Sequence, residues 1–253
     1  MNSLLAYYHT IGLPLSMLVL GTFLLAGAVK GLIGMGLPTI AMGLLGLAMA
    51  PAQAAALLIM PSALTNLWQL AGGGHLRPLC KRLWPLLVMS VLGTLAGSAW
   101  LGLGAAGAGR ALGLALLVYA VMGLCMPAFT IRASWQPLLG PFCGLLTGLI
   151  AATTGVFVVP AVPYLQALGL SRDELVQALG LSFTASTLAL AAMLFWRGEL
   201  AGGELGASLL VLAPALLGMV FGQWLRQRIS AVLFKRCFFI GLALLGVHLM
   251  VSG

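Results

Sequence analysis

The sequence predicts an all-α polytopic membrane protein made of two inverted-topology repeats, with short broken or re-entrant helices in corresponding places. Three observations predict it. Apolar residues fill 62% of the 253 positions and charged residues only 6%, whereas a water-soluble globule carries roughly 25% charged residues to cover its surface. The apolar residues gather in long runs, most of them near the ~20 residues needed to cross a hydrocarbon core about 30 Å thick. Matching glycine motifs then recur in the same order in the two halves of the chain.

The runs fall near 12–30, 37–50, 51–71, 83–104 and 110–128, and again near 137–154, 156–168, 174–196, 205–225 and 233–252. Two of them, 37–50 and 156–168, are too short for a comfortable crossing and suit a re-entrant or broken helix. Ile11 to Leu25 has the look of a signal h-region, with Ala26-Gly27-Ala28 as its A-x-A site. The preceding residues carry no Lys or Arg and the apolar run continues, so a retained first helix is expected.

The halves align on small-residue motifs. Gly27-Ala-Val-Lys-Gly31-Leu-Ile33 resembles Gly144-Leu-Leu-Thr-Gly148-Leu-Ile150, an offset of 117 (144 − 27). Gly93-xxx-Gly97 before Trp100-Leu101 resembles Gly218-xxx-Gly222 before Trp224-Leu225, an offset of 125 (218 − 93). Gly74-His75-Leu76 matches Gly198-Glu199-Leu200 at 124 (198 − 74). One GxxxG signals only close helix packing. Four in matching order predict an internal repeat, residues 1–130 and 131–253.

Charge placement gives the repeats opposite orientations. Loops rich in Lys and Arg stay in the cytoplasm. Arg77, Lys81 and Arg82 follow run 51–71, whereas the matching loop carries Arg197, Glu199 and Glu204. The next pair reverses, with Arg110 in one half and Arg226, Arg228, Lys235 and Arg236 in the other. Residues 77, 81, 82, 132, 172, 226, 228, 235 and 236 then lie inside, 110 and 197 outside, and Lys30 unassigned. Both termini fall outside, and Cys80 and Cys237 fall on the cytoplasmic side.

Several function classes drop out. The net charge of +8 is spread between apolar runs rather than gathered into one basic face, so no nucleic-acid partner is expected. The four cysteines (80, 125, 143, 237) and the histidines (9, 75, 248) show no metal-ligand spacing, and no cofactor is expected. The acids Asp173, Glu174, Glu199 and Glu204 sit at loops or run ends, and no GxSxG or HExxH is present, so the chain is not expected to be an enzyme.

Candidate binding residues cluster at two breaks. In the first, Lys30-Gly31-Leu-Ile-Gly34-Met35-Gly36-Leu37-Pro38, Gly34 and Gly36 permit an irregular backbone and Pro38 suits a helix start. A helix N-terminus there would offer free N–H groups to an anion. The second break supplies Thr147, Thr153, Thr154 and Gly155, then Pro160 and Pro163. Its threonines are either ligand donors or hydroxyls bonded back to their own helix. Ser62, Thr65, Asn66 and Gln69 share one helical face, and Ser186 lines up with Ser62 across the repeat. Asn66 and Gln69 are the costlier to bury and the better candidates to line a path. Lys30 is either the counter-charge of an anion or the cytoplasmic end of the first helix, snorkelling to the interface. The second reading is preferred, because the matching residue is Thr147.

On the paired stretches Gly31–Pro38 and Gly148–Pro160, with Pro163-Tyr164-Leu165 after the second, the sequence resembles the TauE/SafE sulfite-exporter family of membrane permeases (also called DUF81). The resemblance runs over nearly the whole chain. It departs at Ala151-Ala152-Thr153-Thr154, where the family is typically glycine-rich. It implies transport of sulfite or an organosulfonate-like anion by two repeats in the bacterial cytoplasmic (inner) membrane. The expected function is therefore export of a small anion, with the lipid bilayer and that anion as partners and a homodimer left open. The competing expectation is a non-transporting membrane subunit or assembly factor whose GxxxG faces bind partner helices.

Overall fold

The computed structural model describes residues 2–72, 74–100, 103, 107–125, 129–200 and 202–252. The helices are α1 (Asn2–Ile11), α2 (Leu13–Ile33), α3 (Leu37–Leu45), α4 (Pro51–Ala71), α5 (Leu76–Trp100) and α6 (Ala108–Cys125). They continue as α7 (Gln136–Thr154), α8 (Ala161–Gln166), α9 (Arg172–Trp196), α10 (Gly202–Leu210), α11 (Leu212–Leu225) and α12 (Ala231–Ser252). No strand occurs among the described residues. Eight stretches are long and apolar enough to cross a membrane: α2, α4, α5, α6, α7 with the 3-10 turn before it, α9, α12, and 206–225 across α10 and α11. The protein is thus a multi-pass membrane protein.

Local chemistry sets the helix ends. Glycines in the left-handed region close α2 and α7: Gly34 (φ 81°) donates its N–H to Lys30 O at 2.7 Å, and Gly155 (φ 68°) donates to Ala151 O at 2.8 Å. A β-carbon disfavours that backbone conformation, so glycine is the natural stop. Ser171 and Glu174 form a reciprocal capping box that starts α9. Inside α4, Pro61 has no N–H for Leu57 O, and the Ser208 hydroxyl of α10 donates to that carbonyl instead, at 2.8 Å.

Two features differ from the sequence expectation. A separate α1 precedes the first span, broken from it at Gly12 (φ 79°). Run 205–225 divides at Val211, because Pro214 cannot donate to the carbonyl one turn earlier. The candidate cleavage residues Ala26 and Gly27 sit in the packed face of α2, and Ala26 is fully buried. The expected run ends at 104 and 128 lie outside the described residues.

The four GxxxG motifs pair with one another across the two halves. A β-carbon built on Gly27 or Gly31 of α2 would lie 2.1 Å from Ala215 O or Met219 O of α11. One on Gly218 or Gly222 of α11 would lie 2.1 Å from Leu24 O or 2.0 Å from Ala28 O. The second seam joins α5 to α7: Gly144 approaches Leu86 O at 2.3 Å, Gly148 approaches Ser90 O at 2.2 Å, and Gly93 approaches Leu145 O at 2.4 Å, measured the same way. Helices without a hydrophobic drive between them gain by this close backbone approach. A third pairing, Gly113 with Gly246, joins α6 to α12.

The register of these contacts fixes helix directions. Residue numbers rise together along α2 and α11, so those helices are parallel, as are α5 and α7. Hydrogen bonds of Lys30 with Thr65 and of Gln69 with Gly34 make α4 parallel to α2. The contacts Ser90–Ser186 and Ser98–Arg197 make α9 parallel to α5. Against α4, α9 is antiparallel, with Thr187 beside Asn66 and Gly180 beside Gln69. So α2, α4 and α11 run one way and α5, α7 and α9 the other.

The outer surface is apolar. Leu67, Leu138, Leu217 and Leu244 are all well over half exposed, which suits contact with acyl chains rather than water. The exposed Trp68, Trp84, Trp135, Trp196 and Trp224 lie at or near helix ends, where interfacial tryptophans anchor a bundle.

The seams yield a prediction. Gly222→Ala forces a methyl onto the Ala28 carbonyl, so the helices must part at about 1–3 kcal/mol, a fall of about 2–4 °C in melting midpoint per kcal/mol. Gly21→Ala and Gly241→Ala, where a β-carbon meets nothing within 4 Å, gain helix propensity and melt no lower. Thermal unfolding of the three purified variants checks this; equal behaviour would show that the seam does not bear the packing.

Candidate functional site

Four of the sequence candidates, Lys30, Gly34, Asn66 and Gln69, converge at the C-terminal end of α2. Helix α2 buries the stripe Val19, Phe23, Ala26 and Lys30, spaced three or four apart. Lys30 is only 2% exposed. It does not snorkel, and the interfacial reading of this residue is corrected: the stripe faces the bundle, while Leu24 and Leu25 face outward.

The Lys30 ammonium donates to Thr65 Oγ1 at 2.9 Å and to Asn66 Oδ1. Both acceptors are held in place. Thr65 gives its own hydroxyl proton to Pro61 O at 2.6 Å, leaving lone pairs for the ammonium. Asn66 donates Nδ2 to Thr187 Oγ1 at 3.3 Å, which turns its oxygen toward Lys30. The Phe183 ring lies 5.9 Å from the ammonium, within cation–π range. Every partner is neutral. Among the described residues no carboxylate lies within ion-pair distance of Lys30, and the one ion pair joins Arg197 to Glu199.

A buried charge without a counter-ion is expensive, and neutral acceptors only partly offset the lost hydration. Lys30 lines a cavity of ≈ 160 Å³ together with Gly34, Gln69, Gln223 and Arg226. A wider cavity of ≈ 610 Å³ shares Val176, Gln223 and Arg226 with it and reaches Arg172, Asp173 and Gln227. The two form a vestibule from the α9 and α11 loop ends down to Lys30. The Phe183 ring beside the ammonium has its centroid 5.6 Å from that of Phe157, and both side chains are buried.

The α4 polar face of the sequence reading is buried throughout: Ser62, Thr65, Asn66 and Gln69 are each under 10% exposed. Gln69 Nε2 donates to Gly34 O at 2.6 Å, tying α4 to the first break. Gly36 and Pro38 lie outside the vestibule lining. Gly36 packs against Val29 and Phe238, and its carbonyl accepts from the Thr39 hydroxyl and the Ile40 N–H.

The second break is built differently. Thr153 and Thr154 bond back to carbonyls of their own helix, at 3.0 Å and 2.7 Å to Ile150 O, so the packing alternative describes them. Thr154 also accepts the Val156 N–H at 3.1 Å. Thr147 donates to Cys143 O and accepts the Ala161 N–H at 3.1 Å, which occupies a donor at the start of α8. Pro160 precedes α8, after a non-helical stretch in which Val156, Phe157 and Val158 are fully buried. Irregular backbone at membrane depth is tolerable when protein surrounds it. Gly155 packs on Met42 of α3, so the second break touches the helix that follows the first. The Ser186 hydroxyl pairs with that of Ser90 of α5 at 3.1 Å.

Sequence reading missed Phe183, Gln223 and Arg226. A signal for the last two existed: both lie within one turn of Gly222, whose partner helix carries Lys30.

Neither a curated protein nor a solved structure matches the chain. A family model, that of the sulfite exporter TauE/SafE, matches residues 19–249, nearly the whole sequence. With its multi-pass helical architecture, the chain belongs to the TauE/SafE sulfite exporter family of membrane permeases.

Proposed function

We propose that this permease exports a small anion such as sulfite or an organosulfonate from the bacterial cytoplasm across the inner membrane, binding it at Lys30. The observation that carries this reading is a buried lysine, without a counter-ion among the described residues, that lines the vestibule. An arriving anion supplies the missing charge. Asn66 and Thr65 orient the ammonium, and Arg226 with Arg172 draws anions into the vestibule.

Two inverted-topology repeats, 1–130 and 131–253, give this site its setting. Exchanging the halves maps α2 onto α7, α4 onto α9, α5 onto α11 and α6 onto α12. The same exchange converts the α2–α11 seam into the α5–α7 seam and reverses the direction of α2, α4, α5, α7, α9 and α11, which supports the reading. In it α3 and α8 are the re-entrant elements, since nine residues rise only about 14 Å. The vestibule then opens inward and the Phe157–Phe183 pair closes the outward route, one state of an alternating-access carrier. The competing role, a subunit that binds partner helices through its GxxxG faces, is disfavoured because all four faces are engaged within the chain.

Orientation is tested by labelling. In a cysteine-free background, Ser230→Cys, in the exposed α11–α12 loop, should react with an impermeant maleimide only after the inner face is opened. Thr10→Cys, exposed near the end of α1, should react in intact cells. The opposite result would overturn the assignment of sides.

Transport is tested by driving force. An inside-negative potential expels anions by about 2.3 kcal/mol per charge per 100 mV, roughly a fiftyfold ratio at equilibrium. With a monoanion bound, the Lys30 site crosses neutral, and the potential acts on the positively charged empty site as it returns inward. No coupled ion is required. Sulfite or sulfonate efflux from proteoliposomes should therefore follow an imposed potassium-diffusion potential at matched pH. Flux that ignores the potential and follows a proton or sodium gradient would replace this reading with a coupled carrier.

A further inference from the structure

Gln69, which lines the Lys30 cavity, carries a polar atom that a simple anion leaves unsatisfied. Gln69 lines the cavity with Lys30 and is 7% exposed. Its Nε2 donates to Gly34 O at 2.6 Å. A backbone carbonyl only accepts, so the amide nitrogen must face Gly34 and the orientation of the side chain is fixed. The other end, Oε1, is buried and has no hydrogen-bond partner among the described residues. Buried acceptors are almost always paired, and one that is not marks a missing donor.

A bare oxyanion brings acceptors alone. It therefore has no proton to give to Gln69 Oε1. Charge gives a second restriction. Lys30 is the one buried cation of the cavity; Arg226 is only partly buried at its outer end, where the adjoining cavity also holds Asp173. A monoanion neutralises Lys30, whereas a dianion leaves a net charge at the buried end. The Ser62 hydroxyl, on the α4 face of Asn66 and also unpartnered, can donate or accept and so does not discriminate.

We propose that the ligand of this cavity is a small monoanion that also carries an O–H donor, with its sulfur-bound oxygens at Lys30 and its hydroxyl on Gln69 Oε1. Hydrogen sulfite and short hydroxyalkanesulfonates have this chemistry; the sulfite dianion and plain alkanesulfonates lack part of it. The inference rests on the anion-site reading above and makes Gln69 the residue that sets specificity.

The test compares 2-hydroxyethanesulfonate with 1-propanesulfonate, which match in length and charge and differ by a hydroxyl in place of a methyl. Titration calorimetry on the purified full-length protein should show the hydroxyl compound binding about tenfold tighter. Gln69→Met should abolish that ratio by weakening the hydroxyl compound alone. Equal binding of the two by the wild type, or a preference that survives in Gln69→Met, overturns the role of Gln69. Binding of neither compound overturns the anion site itself, and this inference with it. Should Gln69→Met fail to fold, the wild-type ratio decides alone.

Discussion

An ammonium group held out of water by α2, with only neutral oxygens and an aromatic ring around it, is the constraint that organises this protein. Lys30 cannot reach the membrane interface, because its face of α2 is packed along Val19, Phe23 and Ala26. It gains hydrogen bonds from Thr65 and Asn66 but no opposite charge. Such an arrangement costs stability in the empty protein, as buried charge does anywhere in a low-dielectric interior. On the proposed reading, binding a counter-ion relieves the cost, and the same term that weakens the empty fold becomes affinity for an anion. The vestibule residues Gln223 and Arg226 belong to α11, so the seam that holds α11 on α2 also builds the approach to the charge.

The glycine seams explain how that geometry can be rigid in lipid, where apolar side chains give no net preference for each other over acyl chains. Gly27 and Gly31 let the α11 backbone come so near that any side chain would strike a carbonyl. Gly93, Gly144 and Gly148 do the same for α5 and α7. The broken segments sit inside this frame. Gly34 and Gly155 end their helices in the left-handed region, and the chain beyond each is buried in protein, as unpaired backbone must be. The frame is fixed and the breaks are irregular, a division expected where one part holds position and another meets the ligand.

Much of the fold was legible because lipid imposes a coarse code. A crossing needs a long apolar run, so the eight spans and the two short segments could be marked before any coordinates. The four GxxxG motifs were legible as packing devices, though their crosswise pairing was not, since spacing does not name a partner. The break at Val211 was readable in principle from Pro214. The site was half legible. Asn66 and Gln69 stood out because amides are costly to bury, and both proved to be in the cluster. Lys30 was misjudged by comparing it with Thr147, which asks what the repeat puts at a position and not which face of α2 the position occupies. Its spacing from Phe23 and Ala26 held the answer. For Thr153 and Thr154, sequence cannot choose between a ligand and the preceding turn, because a hydroxyl rotor serves either; here the carbonyl of Ile150 takes both.

The central claim, that an anion supplies the charge Lys30 lacks, is tested most directly by ligand-dependent unfolding of the empty protein and a charge-free variant. Purified wild-type protein and Lys30→Met are melted across a titration of sulfite at constant ionic strength, with gluconate as the balancing bulky anion. A ligand that binds only the folded state stabilises it by about 2.7 kcal/mol at a hundredfold excess over its dissociation constant. The account predicts a wild-type midpoint that climbs with the logarithm of sulfite concentration and a Lys30→Met midpoint that stays flat. A variant that climbs in parallel with the wild type would place the anion elsewhere and contradict the account.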